Sequence, residues 1–92
     1  SGIQNVINKL KKFKCRLDLQ DPWANKEEIK KTYNIYPNSK PNQNTYDAVL
    51  IAVAHNKFKK IGLANIKNLC RKTHVIFDLK NLFNSNQVDF KL

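Results

Sequence analysis

Polar side chains that can bind a phosphate group follow two apolar runs of this sequence. Residues 48–54 are followed by His55, Asn56 and Lys57, and the second run, residues 75–77, is soon followed by Lys80. Lysine ammonium groups and backbone N–H donors at helix starts are common partners of phosphate. These residues therefore indicate an anion site. Lys80 is its strongest candidate, because it closely follows a buried run and stands near Asp78.

The same residues also have plainer interpretations. Lys57 lies beside Lys59 and Lys60, and such a cluster favours a solvated face over a ligand site. His55 is well placed to cap a helical turn. Asp21, Asp78 and His55 are suitable residue types for acid–base chemistry, but no Ser or Cys nucleophile lies in a recognisable local motif. Asp21 is better explained as a turn cap.

Other candidate residues carry weaker signals. Trp23 is either a ring on which a base stacks or, as its type favours, a lid on the core. His74 is predicted at a strand start, where nothing marks it as a ligand. Gly2 and Gly62 are the two glycines, too few for a glycine-rich cradle of dinucleotide phosphates.

Hydrophobic periodicity predicts alternating helices and strands. The predicted elements are a helix over residues 3–13, a strand over 15–20, a helix over 26–33 capped by Asn25, a loop over 34–45, a strand over 48–54 buried on both faces, a helical turn at 58–61 ended by Gly62, a helix over 63–72, and a strand over 74–81. The tail from Phe83 onward is weakly patterned. This order predicts an α/β fold with a parallel sheet.

In a parallel sheet the carboxyl ends of the strands share one edge, where open α/β sheets bind ligands. The three predicted strands end at residues 20–23, 54–57 and 78–81. The polar residues after the apolar runs are therefore expected to line a ligand edge.

Composition limits the partners. The chain has 92 residues, enough for one small domain, and a net charge of +10, which points to anionic partners. The cations are nearly all Lys and are spread over every predicted helix, which favours a solvated lysine surface over a nucleic-acid patch.

The cysteines and the apolar segments indicate the compartment. Cys15 and Cys70 form no disulfide framework or metal-ligand spacing and are interpreted as buried apolar residues of a reduced compartment. No segment has the length of a membrane span or the pattern of a signal peptide. A cytoplasmic location is expected.

Three segments carry a family resemblance: "LDLQDPWANKEEIKKTYNI", "YDAVLIAVAHNKFKKI" and "VIFDLKNLF". In this order they resemble the C-terminal UDP-binding domain of the UDP-glucose/GDP-mannose dehydrogenase family, and most of all that of UDP-N-acetylhexosamine 6-dehydrogenases of the Vi polysaccharide biosynthesis type. The resemblance implies two Rossmann-like domains joined by a long helix in the full-length enzyme. It also implies oxidation of the sugar C6 alcohol to a carboxylate with two NAD, and a homo-oligomer.

The resemblance implies a limited role for this chain. The NAD fingerprint and the catalytic cysteine belong to domains absent here, and Cys15 and Cys70 do not match that cysteine's motif. The position of Lys80 matches a basic residue, Arg in the glucose-oxidising relatives, that reaches the bound UDP-sugar. His55 and Phe58 match a segment to which the resemblance assigns no role.

One family feature is missing. In the family, the domain begins with a strand that precedes the helix starting here near Ile3. In the family's sheet that strand occupies a slot between the strands that correspond to those predicted here at Cys15 and Ala48. Unpaired sheet edges are costly and prone to association. We therefore expect the chain either to pair these two strands directly or to fill the slot from another chain.

Together these inferences predict one partial domain over residues 1–92, a truncated Rossmann-like α/β fold with about three parallel strands flanked by helices and the family's first strand missing. It would bind the UDP-sugar through Lys80, His55 and Asn56, have no catalytic, cofactor or metal residues, and be inactive alone. The full-length enzyme would use NAD to make a UDP-hexuronic acid for surface polysaccharide. The alternatives are a small basic nucleic-acid-binding module, whose affinity falls steeply with salt, and a ligand-free interaction or dimerisation domain.

Overall fold

The computed structural model of the chain describes residues 2–21, 25–38 and 40–91. These residues belong to two compact units, Ser1–Pro41 and Asn42–Leu92. Neither unit has, within the described residues, a helix long and apolar enough to cross a membrane.

The first unit contains helices α1 (Gly2–Lys12) and α2 (Lys26–Tyr33), close to the predicted bounds. In α1 the apolar residues recur every three or four positions, and Ile7 among them is buried. The α1 residue Lys11 donates a hydrogen bond from its ammonium group to the backbone carbonyl of Tyr33, the last residue of α2. Apolar spacing predicted α1, and a short apolar stripe together with the Asn25 cap predicted α2.

Local side-chain chemistry sets both ends of α2. The Asn25 side chain accepts hydrogen bonds from the backbone N–H groups of Glu27 and Glu28, at 2.8 and 3.3 Å. At the other end Asn34 adopts the left-handed conformation, with φ 58°, and its N–H donates to the carbonyl of Lys30. Asparagine tolerates this conformation better than most residues, which makes it a suitable C-terminal cap.

The predicted strand over residues 15–20 is wrong. Among the described residues this stretch forms no strand, and its pairing there is one isolated parallel bridge between Leu19 and Pro37. Asn38 N–H donates to the Leu19 carbonyl at 2.6 Å, but Pro37 has no N–H group with which to extend a ladder. Cys15, predicted to be buried, is exposed.

The second unit is a β–α–β arrangement with a parallel sheet. Strand β1 (Tyr46–Ile51) is followed by helices α3 (Asn56–Ile61) and α4 (Leu63–Lys67) and by strand β2 (Cys70–Asp78). β1 and β2 pair in parallel, with Ile51 opposite Asp78 at the carboxyl end. Gly62 separates the two helices with φ 82°, as the sequence predicted.

The predicted ends of two elements in this unit, and the predicted burial of one of them, need correction. β1 ends at Ile51 rather than Ala54, because β2 ends at the residue opposite Ile51 and leaves the following residues without a paired neighbour. Ala48 is exposed, so β1 is not buried on both faces. The helix expected over residues 63–72 ends at Lys67, since Cys70 already pairs with Tyr46 in the sheet.

The third strand of the sheet was not predicted. β3 (Phe90–Lys91) pairs in parallel with the end of β2, so the order is β1-β2-β3. The rings of Phe77 and Phe90 stack at 5.0 Å on this pair, and Asp89 accepts the Ile76 N–H at 2.8 Å. The expected sheet of about three parallel strands is confirmed. Its third strand is β3, and not the predicted strand over residues 15–20.

The sheet topology bears on the position expected for the family's first strand. Within the described residues the sheet contains β1, β2 and β3, and β1 is an edge strand. The expected direct pairing of two strands lacks its first member, because residues 15–20 form no strand. Filling of the slot beside β1 by another chain stays a prediction.

One apolar cluster holds the second unit together. Ile76 at its centre is fully buried. The other buried members are Ile51, Leu63, Ile66 and Cys70, and Val49, Ile61, Leu82, Phe83 and Val88 pack against them. Leu82 and Phe83, which follow β2 in the chain, are thus anchored in the core.

Candidate functional site

The carboxyl ends of the three strands lie side by side. Ile51 of β1 pairs with Asp78 of β2, and Asp78 pairs with Lys91 of β3. The backbone N–H of Leu79, just past β2, donates to the Ile51 carbonyl at 3.0 Å. This edge is where ligands of open parallel sheets bind, and it contains the loops that carry His55 and Lys80.

Asp78 organises the turn that follows β2. Its side chain is fully buried, yet its two carboxylate oxygens face backbone amides. Oδ1 accepts the N–H groups of Lys80 and Leu82, at 3.3 and 3.0 Å, and Oδ2 accepts that of Phe83 at 2.7 Å. A buried carboxylate is tolerated because these donors replace the water that it has lost.

The charge on Asp78 is stable for the same reason. Burial by itself raises the pKa of the carboxyl group. The hydrogen bonds from Leu82, Phe83 and Lys80, together with the nearby positive charge of Lys91, outweigh burial and place the pKa below its ordinary value. Asp78 is therefore ionised at neutral pH and, having no access to solvent, is unsuited to proton transfer.

Lys80 projects from this turn into solvent. Its side chain is exposed, and among the described residues its ammonium group has no hydrogen bond or ion pair. The next residue, Asn81, is left-handed with φ 56° and accepts a hydrogen bond from the Lys91 ammonium group at 2.5 Å. The turn thus places an exposed cation at the carboxyl edge of the sheet.

His55 begins the helix after β1. It is the N-cap of α3, and its Nδ1 atom accepts the backbone N–H of Lys57 at 2.9 Å. The ring also meets Phe58 edge-on, with centroids 6.0 Å apart. The plainer interpretation, that His55 caps a helical turn, is therefore confirmed, and Nδ1 cannot contact a ligand while this cap persists. Asn56, the first residue of α3, is exposed beside it.

The remaining candidates do not join this site. The prediction of a strand start at His74 is wrong, because β2 already begins at Cys70; within β2 the His74 Nδ1 contacts the Arg71 carbonyl at 2.7 Å, which is a local structural role. Trp23 lies outside the described residues, and so do the two residues on either side of it that follow Asp21. The interpretations of Trp23 as a stacking ring or a core lid, and of Asp21 as a turn cap, therefore stay predictions. Cys70 is buried, as predicted, and burial raises its pKa. Over the described ranges, no cluster of three or more potential metal ligands occurs.

Sequence reasoning missed two residues of this edge. Asp78 was considered for acid–base chemistry rather than as the organiser of a turn, and Lys91 lay in a tail with weak patterning. A signal for Asp78 was present, because an acidic residue directly after a fully apolar run must find hydrogen-bond donors in the following loop. No comparable local signal marks Lys91, which reaches the edge through the pairing of β3 with β2.

The fold and this edge define an open parallel α/β domain with an exposed lysine at the carboxyl ends of its strands. A family model described as the UDP-glucose/GDP-mannose dehydrogenase family, UDP binding domain, matches residues 1–85. The chain therefore belongs to the UDP-glucose/GDP-mannose dehydrogenase family and corresponds to its UDP-binding domain.

Two curated relatives agree with this assignment. The chain is 37% identical over 90 residues to a UDP-N-acetyl-D-glucosamine 6-dehydrogenase of Salmonella typhi, and 33% identical over 90 residues to a protein of the same name from Pseudomonas aeruginosa. Each alignment covers 98% of this chain and 21% of the relative, so the chain spans about a fifth of the length of these relatives. No solved structure matches the chain significantly.

Proposed function

We propose that this chain binds the UDP portion of a UDP-sugar at the carboxyl edge of the β1-β2-β3 sheet, with Lys80 as the principal contact. The observation that carries the proposal is an exposed, unpaired lysine, within the described part of the chain, held at this edge by the turn that Asp78 organises. The UDP-binding description of the matched family model supports the choice of ligand.

The chemistry of UDP suits this edge. A diphosphate carries at least two negative charges at neutral pH, and an ammonium group binds phosphate oxygens as a compact positive charge. Asn56 adds an amide that can donate to a phosphate or to the uracil ring, and His55 supports it by capping α3. We propose these two residues as secondary contacts. The net charge of +10 attracts an anionic ligand from a distance.

The activity of a longer protein containing this chain is part of the same proposal. We infer that such a protein is an oxidoreductase that converts a UDP-hexose or UDP-N-acetylhexosamine to the UDP-hexuronic acid for surface polysaccharide such as capsule. The names of the two relatives support a UDP-N-acetylhexosamine. Residues 1–92 would form one partial domain of a cytoplasmic homo-oligomer and would have no activity alone.

The NAD required for such an oxidation does not fit the residues of this chain. A dinucleotide site of the usual kind needs several glycines in a turn between a strand and a helix. Gly62 instead separates two helices, and Gly2 begins α1. We therefore place NAD binding in other domains of the longer protein.

The test is a titration of the isotopically labelled chain with UDP, followed by NMR at physiological salt. We expect shifts confined to the loops after β1 and β2, and a weaker dissociation constant by about tenfold in Lys80→Ala, since a hydrogen bond to a charged group contributes about 1.5 kcal/mol or more. UMP and a short single-stranded DNA serve as ligand controls.

Lys72→Ala is the matched control variant. Lys72 is an exposed lysine near the amino end of β2, so it lies roughly 20 Å from Lys80 along the strand, beyond the Debye length of about 8 Å. Removal of its charge should leave UDP affinity within twofold. Equal losses in both variants would indicate a general charge effect. Broad, salt-sensitive shifts with DNA and none with UDP would favour the nucleic-acid alternative.

A further inference from the structure

We propose that Asp78 is a positioning residue of the UDP site: its buried carboxylate folds the turn at residues 79–83 so that Lys80 meets the ligand in a preformed position. This inference rests on the proposed function, because it assigns the means by which Lys80 is placed. Asp78 itself does not touch the ligand, since its side chain is fully buried.

The turn is restrained on both sides of Lys80. On the amino side, the Leu79 N–H is bonded to the Ile51 carbonyl, and the Lys80 N–H is bonded to Asp78. On the carboxyl side, Leu82 and Phe83 donate their N–H groups to Asp78 while their side chains pack against the core. A short segment with both ends bonded to one buried group has little conformational freedom left to lose when a ligand binds.

The carboxylate performs this role without neutralising Lys80. Its oxygens are bonded to backbone amides, and the ammonium group of Lys91 lies near enough to stabilise the negative charge. The Lys91 ammonium group also donates a hydrogen bond to the side chain of Asn81, the residue of the turn that adopts the left-handed conformation. The Lys80 ammonium group thus stays available for an anionic ligand.

The substitution Asp78→Asn tests the idea with almost no change of volume. The amide oxygen can still accept the N–H groups of Lys80 and Leu82, but the NH₂ group meets the Phe83 N–H, so two donors face each other. We expect the turn to loosen and the UDP dissociation constant to rise at least fivefold.

A double-mutant cycle separates positioning from general destabilisation. If Asp78 acts through Lys80, then Asp78→Asn should weaken UDP binding less than twofold further when Lys80→Ala is already present. Cys70→Ala is the matched control, because it removes a buried atom from the other end of β2. It should lower stability and leave UDP affinity within twofold at a temperature where every variant is folded.

The outcomes distinguish this inference from the proposed function. If Lys80→Ala weakens binding and Asp78→Asn does not, positioning by Asp78 is refuted while the UDP site stands. Equal losses from Asp78→Asn with and without Lys80 also refute it. If Lys80→Ala leaves UDP affinity unchanged, the proposed site is refuted, and the role of Asp78 with it.

A measurement on the unaltered chain covers the case in which Asp78→Asn does not fold. The amides of Leu82 and Phe83 should exchange with solvent at least tenfold more slowly than exposed amides, both in the unaltered chain and in Lys80→Ala. Exchange at the rate of an unstructured loop would show that the turn is not preformed and would overturn the proposal.

Discussion

Replacement of Asp78 by Asn should also destabilise the second unit in a pH-dependent way. At neutral pH the carboxylate is ionised and accepts three backbone hydrogen bonds inside the protein. Asn has the same shape but no charge, and one of its two terminal atoms is a donor. The change therefore removes an acceptor from a place where the chain supplies only donors.

The structure indicates the size of the loss. The shortest of the three bonds, 2.7 Å from the Phe83 N–H to Oδ2, is the one that Asn cannot reproduce. A hydrogen bond to a charged group contributes about 1.5–3 kcal/mol, and an unsatisfied buried donor costs about 1–3 kcal/mol. Because Asn also avoids the burial of a charge, part of this loss is offset. We expect a net decrease of about 2 kcal/mol in the free energy of unfolding at pH 7.

The sign of the pH dependence follows from the lowered pKa of Asp78 in the folded protein. The stabilisation by the ionised carboxylate is fully present above the unfolded-state pKa of about 3.9 and is lost as the pH falls through the lower folded-state pKa. Protonated Asp78 resembles Asn, with one acceptor and one donor. The difference between the two proteins should therefore shrink steadily as the pH falls from about 4 towards about 2.

The assay is urea denaturation between pH 2 and pH 7, followed through NMR signals of residues in the β1-β2-β3 sheet. Other carboxyl groups titrate in both proteins, so their effects cancel in the difference. Asp89→Asn is the control: Asp89 is exposed, and Oδ2 accepts one N–H, that of Ile76, which a rotated amide can also accept. The free energy of unfolding of Asp89→Asn should fall by less than about 1 kcal/mol. Equal stability of Asp78→Asn and the unaltered chain at pH 7, or a difference that grows on acidification, would refute the reasoning.

Three further substitutions test the fold around the site. Ile76→Ala, at the fully buried centre of the sheet, should lower the free energy of unfolding by about 2–5 kcal/mol in the same urea assay; a loss under about 1 kcal/mol would mean that the cluster is loosely packed. His55→Ala should cost about 1 kcal/mol by removing the cap of α3, and His55→Asn should restore most of it; no recovery would point to the ring contact with Phe58 instead. Asn34→Val should destabilise α2 by about 1 kcal/mol or more, because a β-branched residue resists the left-handed conformation, whereas Asn34→Gly should be tolerated; circular dichroism of the two variants compares their helix content, and equal content would contradict this account.

The sequence by itself determined the elements whose causes are local. The apolar spacing in α1, the Asn25 and Asn34 caps of α2 and the break at Gly62 each depend on residues within a few positions. The order of helices and buried strands also predicted the parallel sheet and the shared edge for His55 and Lys80. The family resemblance was confirmed by the match to residues 1–85.

Tertiary structure decided whatever depends on a partner distant in the chain. Residues 15–20 alternate like a strand, but a strand exists only when a neighbour accepts its backbone hydrogen bonds. In the part of the chain that the structure describes, their one bridge partner is Pro37. Phe90 and Lys91, which lack a strand pattern, become β3 because the end of β2 offers a free edge and Phe77 offers a ring to stack on. Pairing between strands is non-local, so residue types alone cannot settle it.

The candidate site shows the same division. That Lys80 follows an apolar strand was readable from the sequence, and so was the presence of Asp78 two residues before it. Whether the carboxylate would face solvent or turn inward depended on the donors that the folded loop presents, and the structure turns it inward, onto the N–H groups of Lys80, Leu82 and Phe83. A buried charge is stable only where such donors converge, and their convergence is a property of the fold.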